Sequence, residues 1–392
     1  MTQIFCATEF QTPLRIAGSL SAVISYFLGI AATALAVGNS QHPRVMVMTD
    51  DRTTMTRLFQ ICLFTVLVLG DFARAESQVD RMLKNPDDWF LQDAAREAMK
   101  NILSWQTKHG DWPKNEDTSL QPFSGDPKKH VGTFDNGATC GELRVLAKAY
   151  RVTGDEVYKR AFLNGFDHIL EAQYPNGGWP QYFPLSEKYH RHITFNDGTM
   201  IRLMEFLRDT TKGGDFELLD AARREAAASA IDRGVSCVVK CQVIVGGKPT
   251  VWCAQHDAKT LAPVMARSYE LPSLSGAESA GILKFLMTIK DPSPEVIQAV
   301  ESGITWFQMT KIEGYRYARS KTEPALTKDT TASPLWARFY EIETNRPMFC
   351  DRDGIVKYEI EDVGSERRNG YTWYGSWGSS LLATYKKWPY RQ

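Results

Sequence analysis

The chain has 392 residues, enough to bury a large core as one big domain or two closely packed ones. At 43% hydrophobic and 23% charged it has ordinary globular composition, which excludes disorder as the main state. Its 46 Lys and Arg balance 46 Asp and Glu, so net charge offers no attraction to nucleic acid or to an acidic polymer, and a grip on a polyanion has to come from a local cluster of Arg and Lys.

Residues 16–37 are uncharged and long enough to span a bilayer. Met55-Thr-Arg57 opens a second segment in which 58–70 is apolar and Ala73-Arg-Ala75 has a small-x-small cleavage pattern. That is the pattern of a secretory signal peptide over 55–75. Two consecutive export signals serve no evident purpose, so 1–54 is expected to be an upstream segment outside the fold rather than a membrane anchor. The mature domain is then 76–392, exported to periplasm or medium. It keeps Cys140, Cys237, Cys241, Cys253 and Cys350, an odd number without a C-x-x-C pair, which reads as buried small hydrophobes.

Along the mature chain, amphipathic helices are predicted over 94–106, 159–173, 226–242 and 295–308, each ending at a glutamine (Gln106, Gln173, Gln242, Gln308) at an almost constant interval. Glycine turns with an aromatic follow: Gly110-Asp-Trp112, Gly177-Gly-Trp179, Gly246-Gly247 before Trp252, and Gly314-Tyr-Arg-Tyr317. Glycine suits the C-terminal cap of each helix. Second helices are predicted over 141–151, 199–210, 261–269 with 277–288, and 334–343, and a strand over 354–360. Helical hairpins at a fixed period mean a solenoid or a closed ring.

Phe134-Asp135-Asn-Gly and Phe195-Asn-Asp197-Gly each place an acid before the second helix of a hairpin. Asp135 and Asp197 are natural helix N-caps. In a ring, equivalent turns converge at one end, and two carboxylates beside Gly turns would also suit a hard cation such as Ca²⁺. The stretch from Trp252 to Glu270 carries a polar head, His256-Asp257-Ala-Lys259, and then sets Arg267 among apolar residues. An isolated arginine there is accounted for by a salt bridge to Asp257 or Glu270, since a buried charge is expensive unless paired.

Arg267 is not isolated. Thr133-Phe-Asp135-Asn-Gly-Ala-Thr139, Tyr174-Pro-Asn-Gly-Gly-Trp-Pro-Gln181, Ile193-Thr-Phe-Asn-Asp197-Gly-Thr-Met200, the Trp252–Glu270 stretch and Glu366-Arg-Arg-Asn-Gly-Tyr-Thr-Trp-Tyr374 together resemble, in order, blocks of the pectate lyases of polysaccharide lyase family 10. The resemblance runs from about residue 85 to 385 and favours a mainly α fold, a compact α/α toroid of about three to four helical-hairpin repeats with little β. It implies a lyase that cleaves α-1,4-galacturonan by calcium-assisted β-elimination to 4,5-unsaturated oligogalacturonides. Calcium on Asp135 and Asp197, with arginine forks, would stabilise the charge that develops on the uronate carboxylate.

By the same resemblance Arg267 is the candidate base, although a guanidinium normally keeps its proton in proteins. His256 and Lys259 are nearby groups that release a proton more easily. Substrate grip is expected from Arg338 and Arg352, with Lys284, His256 and Lys259 as further members. Trp112, Trp179, Trp373 and Tyr374 either stack on sugar rings or fill the seam of the ring. The expected partner is polygalacturonate, with no nucleic acid and no stable membrane partner, and the expected state is a monomer. Two other readings compete: a glycoside hydrolase of α/α-toroid type using Asp135, Asp197 or Asp257, and a non-catalytic glycan-binding helical repeat protein. Chelation separates them, since the lyase alone should lose activity with EDTA and regain it with calcium.

Overall fold

Where apolar residues recur at helical spacing, the chain folds into hairpins. The computed structural model describes residues 78–320 and 324–392, all within one compact unit. The expected upstream segment 1–54, its apolar stretch 16–37 and the signal peptide 55–75 lie outside the described residues. After a short α1 (Gln78–Met82), α2 (Asp93–Ser104) precedes α3 (Cys140–Thr153) and α4 (Glu156–Glu171). Then come α5 (Thr199–Thr210) with α6 (Ala221–Lys240), α7 (Gly276–Leu286) with α8 (Pro294–Met309), the short α9 (Ser365–Gly370), and α10 (Trp377–Tyr385). Helices α3, α5, α7 and α10 pack side by side as an inner layer, and α4, α6 and α8 back them as an outer one. This is the expected α/α toroid.

Local chemistry sets the helix starts. The side chains of Asp155, Asp220, Ser275 and Ser293 accept hydrogen bonds from the first-turn amides of α4, α6, α7 and α8. Pro294 opens α8, where its missing N–H costs little. Gly154 ends α3 in the left-handed conformation.

The repeat has a specific construction. Gln106 Nε2 donates to Gly110 O at 3.0 Å and to Ala161 O of α4 at 2.8 Å. Gln173 does the same to Gly177 O (2.9 Å) and Ala230 O of α6 (2.8 Å), and Gln242 to Thr250 O and Ala299 O of α8 (both 2.9 Å). Each amide thus ties its own turn to the next outer helix. The first three glutamines lie just beyond their helices, whose caps are Trp105, Ala172 and Cys241 rather than glycine. Glycine is needed for a different reason: a Cβ on Gly110 or Gly177, both at positive φ, would come within 2.6 Å of Asn164 O or 2.0 Å of Arg233 O. Gln308 breaks the series, being exposed and inside α8, with no outer helix after it to bond.

Each turn also delivers a fully buried tryptophan whose indole N–H bonds the helix before it: Trp112 to Ile102 O, Trp179 to Ile169 O, Trp252 to Val238 O and Trp336 to Phe307 O. The fourth aromatic is therefore Trp336 and not Tyr315 or Tyr317, which belong to an inserted hairpin, β2 (Tyr315–Tyr317) against β3 (Leu326–Lys328). Since Trp112, Trp179 and Trp373 are wholly buried and Tyr374 nearly so, these rings pack the seam and stack on no sugar.

Two predicted helices are absent. Residues 334–343 form β4 (Trp336–Ala337) and β5 (Phe339–Tyr340), which pair with β8 (Tyr374–Gly375) and β1 (Leu274–Ser275). The run Leu335 to Tyr340 is buried on both faces, the case in which periodicity cannot tell strand from helix. Residues 261–269 are a loop. The Asp257 carboxylate takes the amides of Lys259 and Thr260 into a turn, and Leu261 has a φ of 62°. Of the strand expected over 354–360, only β7 (Val356–Lys357) forms, against β6 (Phe349–Cys350). All five cysteines among the described residues are free and buried.

Candidate active site

Arg338 is held at its backbone from both sides: its N–H donates to Trp373 O at 2.7 Å, and its carbonyl accepts from Gly276 N, at the start of α7, at 2.9 Å. Its buried guanidinium donates from Nη2 to Glu278 Oε1 at 2.6 Å and reaches Asp197 Oδ1 at 3.4 Å. Burial works to lower its pKa, but Glu278, Tyr371, Asp197 and Glu270 together more than reverse this and push it above the ordinary arginine value. Arg338, Asp197, Glu278, Lys284 and Arg202 line a cavity of about 620 Å³ among α5, α7 and α10. Lys284 donates there to Ser380 Oγ at 2.7 Å.

The two aspartates are not equivalent. Asn136 (φ 56°) and Asp197 (φ 51°) occupy the same left-handed position in their turns, so Asp135 matches Asn196. Neither acid is a helix N-cap, those being Thr139 and Gly198. Asn136 and Asp197 face the cavity, with the Asp197 side chain 36% exposed. Asp135 is buried behind them. It pairs with the Lys114 ammonium and accepts from Gln181 Nε2 at 2.7 Å and from Thr199 Oγ1 at 3.5 Å.

Arg267 sits in a tight turn closed by Glu270 N donating to Arg267 O at 2.8 Å. Its Nε donates to Glu270 Oε2 at 2.7 Å and its Nη2 to Glu270 Oε1, so Glu270 rather than Asp257 is its partner. Burial opposes the Arg267 charge, yet the Glu270 hydrogen bonds and charge outweigh it and raise the pKa. For Glu270 burial favours the neutral acid, and Arg267 and the Tyr371 hydroxyl override it, holding the carboxyl below its usual value.

Two tyrosines knit the arginines together. The Arg267 guanidinium lies 4.9 Å from the Tyr269 ring and 5.8 Å from Tyr371, Arg338 lies 4.9 Å from Tyr371, and Arg367 lies 4.7 Å from Tyr269. Arg352, with a largely exposed side chain, lies 5.5 Å from Tyr269 and pairs with Glu366 at 3.1 Å. Tyr189 feels the charges of Arg267, Glu270 and Lys114, which places it near the same groups.

The site thus gathers Arg267, Arg338 and Arg352 around shared rings, with Asp197 and Lys284 on the adjoining cavity and Asp135 behind. It leaves out His256, which is wholly buried: its Nε2 accepts from Cys253 N at 3.1 Å, its Nδ1 bonds Leu261 O at 2.8 Å, and burial lowers its pKa to about 4. With neither ring nitrogen to spare, His256 is a structural brace and not a substrate contact. Lys259 is exposed on the turn built by Asp257. Sequence reasoning gave no role to Glu278, Tyr371, Arg367 or Lys114. Their signal was faint: Arg367 and Tyr371 stand inside the Glu366–Tyr374 block, and only assembly shows what they touch.

The toroid's cleft gathers four arginines around two tyrosines, and comparison with known proteins places it among the polysaccharide lyases. The Pectic acid lyase family profile matches residues 106–382. The solved Family 10 polysaccharide lyase from Cellvibrio cellulosa is 36% identical, with 78% of this chain and 97% of that one covered and a TM-score of 0.70. A point mutant of that enzyme in complex with trigalaturonic acid matches equally well. No curated protein sequence matches the chain. The chain belongs to the Pectic acid lyase family, the polysaccharide lyases of family 10.

Proposed function

We propose that this lyase cleaves polygalacturonate by calcium-assisted β-elimination, releasing 4,5-unsaturated oligogalacturonides. One observation carries the reading: a chain with no net charge concentrates Arg267, Arg338, Arg352 and Arg367 around Tyr269 and Tyr371. Such forks match uronate carboxylates in geometry and charge. Arg338 and Arg352 grip the polymer, Lys284 adds charge in the cavity, and exposed Lys259 stands as an outer contact.

The residues fit a calcium ion in donor chemistry. Asp197 offers a part-exposed carboxylate beside left-handed Gly198, whereas Asp135, buried behind it, would join only by exchanging the Lys114 ammonium for the ion. Among the described residues no three His, Cys, Asp or Glu side chains gather into a metal site, so uronate oxygens and water would complete the coordination. Calcium, when bound, supplies positive charge beside the uronate carboxylate as C5 loses its proton. Arg267 takes that C5 proton, which requires its guanidinium to be neutral first, so activity climbs into alkaline pH. The hydrolase reading is disfavoured because the cleft carboxylates Asp197, Glu270 and Glu278 are each tied to an arginine.

The decisive assay is ultraviolet absorption of unsaturated uronate from polygalacturonate, abolished by EDTA and restored by calcium. Absence of that product, or reducing ends without it, would sink the proposal. Arg267→Ala should lose nearly all turnover with its fold intact, whereas Arg267→Lys should keep some and work at lower pH, since lysine loses its proton near pKa 10.4. The protein is further proposed to act as an exported monomer. Mass analysis of exported material should then find Glu76 at the N-terminus, and retention of residues 16–37 would contradict it.

A further inference from the structure

Arg267 has three guanidinium nitrogens and Glu270 engages two. Nε donates to Oε2 at 2.7 Å, and Nη2 donates to Oε1. Nη1 makes no hydrogen bond among the described residues. Glu270 is 4% exposed, and its Oε1 also accepts the Tyr371 hydroxyl at 2.7 Å. Its backbone amide closes the turn on Arg267 O, while the Arg267 amide donates to Glu270 Oε2 at 3.3 Å. The Tyr371 ring in turn is fixed beside the guanidinium of Arg338, 4.9 Å away. A planar fork bound along one edge presents its other edge in one direction.

Resting on the reading of Arg267 as the base, we infer that Glu270, held by the Tyr371 hydroxyl, is the positioning residue that locks the guanidinium plane and presents Nη1 to the C5 proton. Glu270 and Tyr371 touch no substrate in this scheme. They act through Arg267, and through the shared Tyr371 ring they keep it in register with the carboxylate-gripping Arg338.

Glu270 also sets the charge around Arg267. Among the described residues, the charged and titratable groups around that guanidinium include Tyr189, His190, Tyr269, Glu270, Arg352 and Tyr371, with Arg338 and Arg367 on the same two rings, and Glu270 is the carboxylate hydrogen-bonded to it. Removing its charge therefore eases loss of the Arg267 proton, while shortening it disturbs aim without removing charge. The two effects separate in kinetics.

The test is the pH dependence of kcat/KM on polygalacturonate for three variants, with circular dichroism and melting as fold controls. Glu270→Gln should move the alkaline rise to lower pH by about one unit or more, with lower peak kcat and little change in KM. Glu270→Asp should lose about tenfold or more in kcat without that shift. Tyr371→Phe keeps the ring and should lose about tenfold in kcat with KM within about twofold. A wild-type pH profile and turnover in folded Glu270→Gln, with Arg267→Ala inactive, would overturn the inference while leaving the base reading intact. Full activity in Arg267→Ala would instead remove the base reading itself. Should Glu270→Gln fail to fold, Tyr371→Phe decides, and unchanged kcat there overturns the inference.

Discussion

Asp197 and Arg338, 141 residues apart in the chain, meet at 3.4 Å on the wall of the cavity. The arginine is shared, because Glu278 holds the same nitrogen at 2.6 Å from the buried side. Arg338 therefore has one buried partner and one on the cavity wall.

Arg338→Ala should test both. It leaves Glu278 buried without its counter-charge, a loss of about 3–5 kcal/mol for breaking a buried pair. The melting temperature should fall and activity should be lost. Adding Glu278→Gln should recover much of the stability, since the stranded charge is gone, but none of the activity. Recovery of turnover in the double variant would show that Arg338 does not touch substrate.

The glutamine clamps predict a graded pattern. Gln173→Leu removes the two clamp hydrogen bonds, to Gly177 O and Ala230 O, each worth about 1 kcal/mol net, together with the exposed one that the Arg233 guanidinium donates to Gln173 Oε1 and that adds little. A loss of about 2 kcal/mol should lower the melting temperature by several degrees while activity per folded molecule is kept. Gln308→Leu, at the exposed position that makes no clamp, should stay within about 0.5 kcal/mol of the parent. Thermal denaturation of the two variants side by side measures this, and equal effects would refute the clamp.

These glutamines were legible as a period, but their role was not. Sequence shows spacing; it does not show that an amide beyond the helix end bridges to an outer helix about 55 residues on. The long amphipathic helices were legible to within about five residues at each end because one apolar face decides them. Residues 334–343 were misread because burial on both faces erases the period. For the same reason Arg338 was legible as a residue type, whereas its neighbours were not. Tyr371 reaches Glu270 across 101 positions and Glu278 reaches Arg338 across 60, distances over which local pattern carries no information. The pairing of Asp135 with Asp197 rested on similar wording of two turns, and the backbone aligned Asn136 with Asp197 instead.

His256 makes a prediction about acid. Burial lowers its pKa to about 4 from an ordinary 6.5, so the folded protein holds it neutral where the unfolded chain would protonate it. Its contribution is complete above pH 6.5 and is lost as pH falls toward 4, a total of about 3 kcal/mol. His256→Gln should be less stable than the parent at pH 7, through lost hydrogen bonds, and the gap should narrow toward pH 4.5. A gap that widens on acidification would contradict a neutral buried ring.

Glu142 makes the opposite prediction over the same window. It lies on α3, fully buried, with Thr118 Oγ1 donating to Oε1 at 3.1 Å and Oε2 without a hydrogen-bond partner. Burial is the largest influence, and with the nearby charge of Asp80 it raises the carboxyl from 4.5 to about 7 despite bonds that favour the anion. The folded state therefore binds a proton that the unfolded state has released between those values. Stability from this group is fully present below pH 4.5 and is lost as pH rises through 7, again about 3 kcal/mol in all. In the wild type the slopes of His256 and Glu142 oppose each other over this window, so the variants rather than the parent alone reveal each one. Glu142→Gln keeps the shape and the Thr118 hydrogen bond but cannot ionise, so it should gain on the parent as pH rises and match it near pH 4.5. Melting curves of both proteins from pH 4.5 to 8 measure the difference. A constant offset across that range would mean that Glu142 does not change its protonation between the folded and unfolded states.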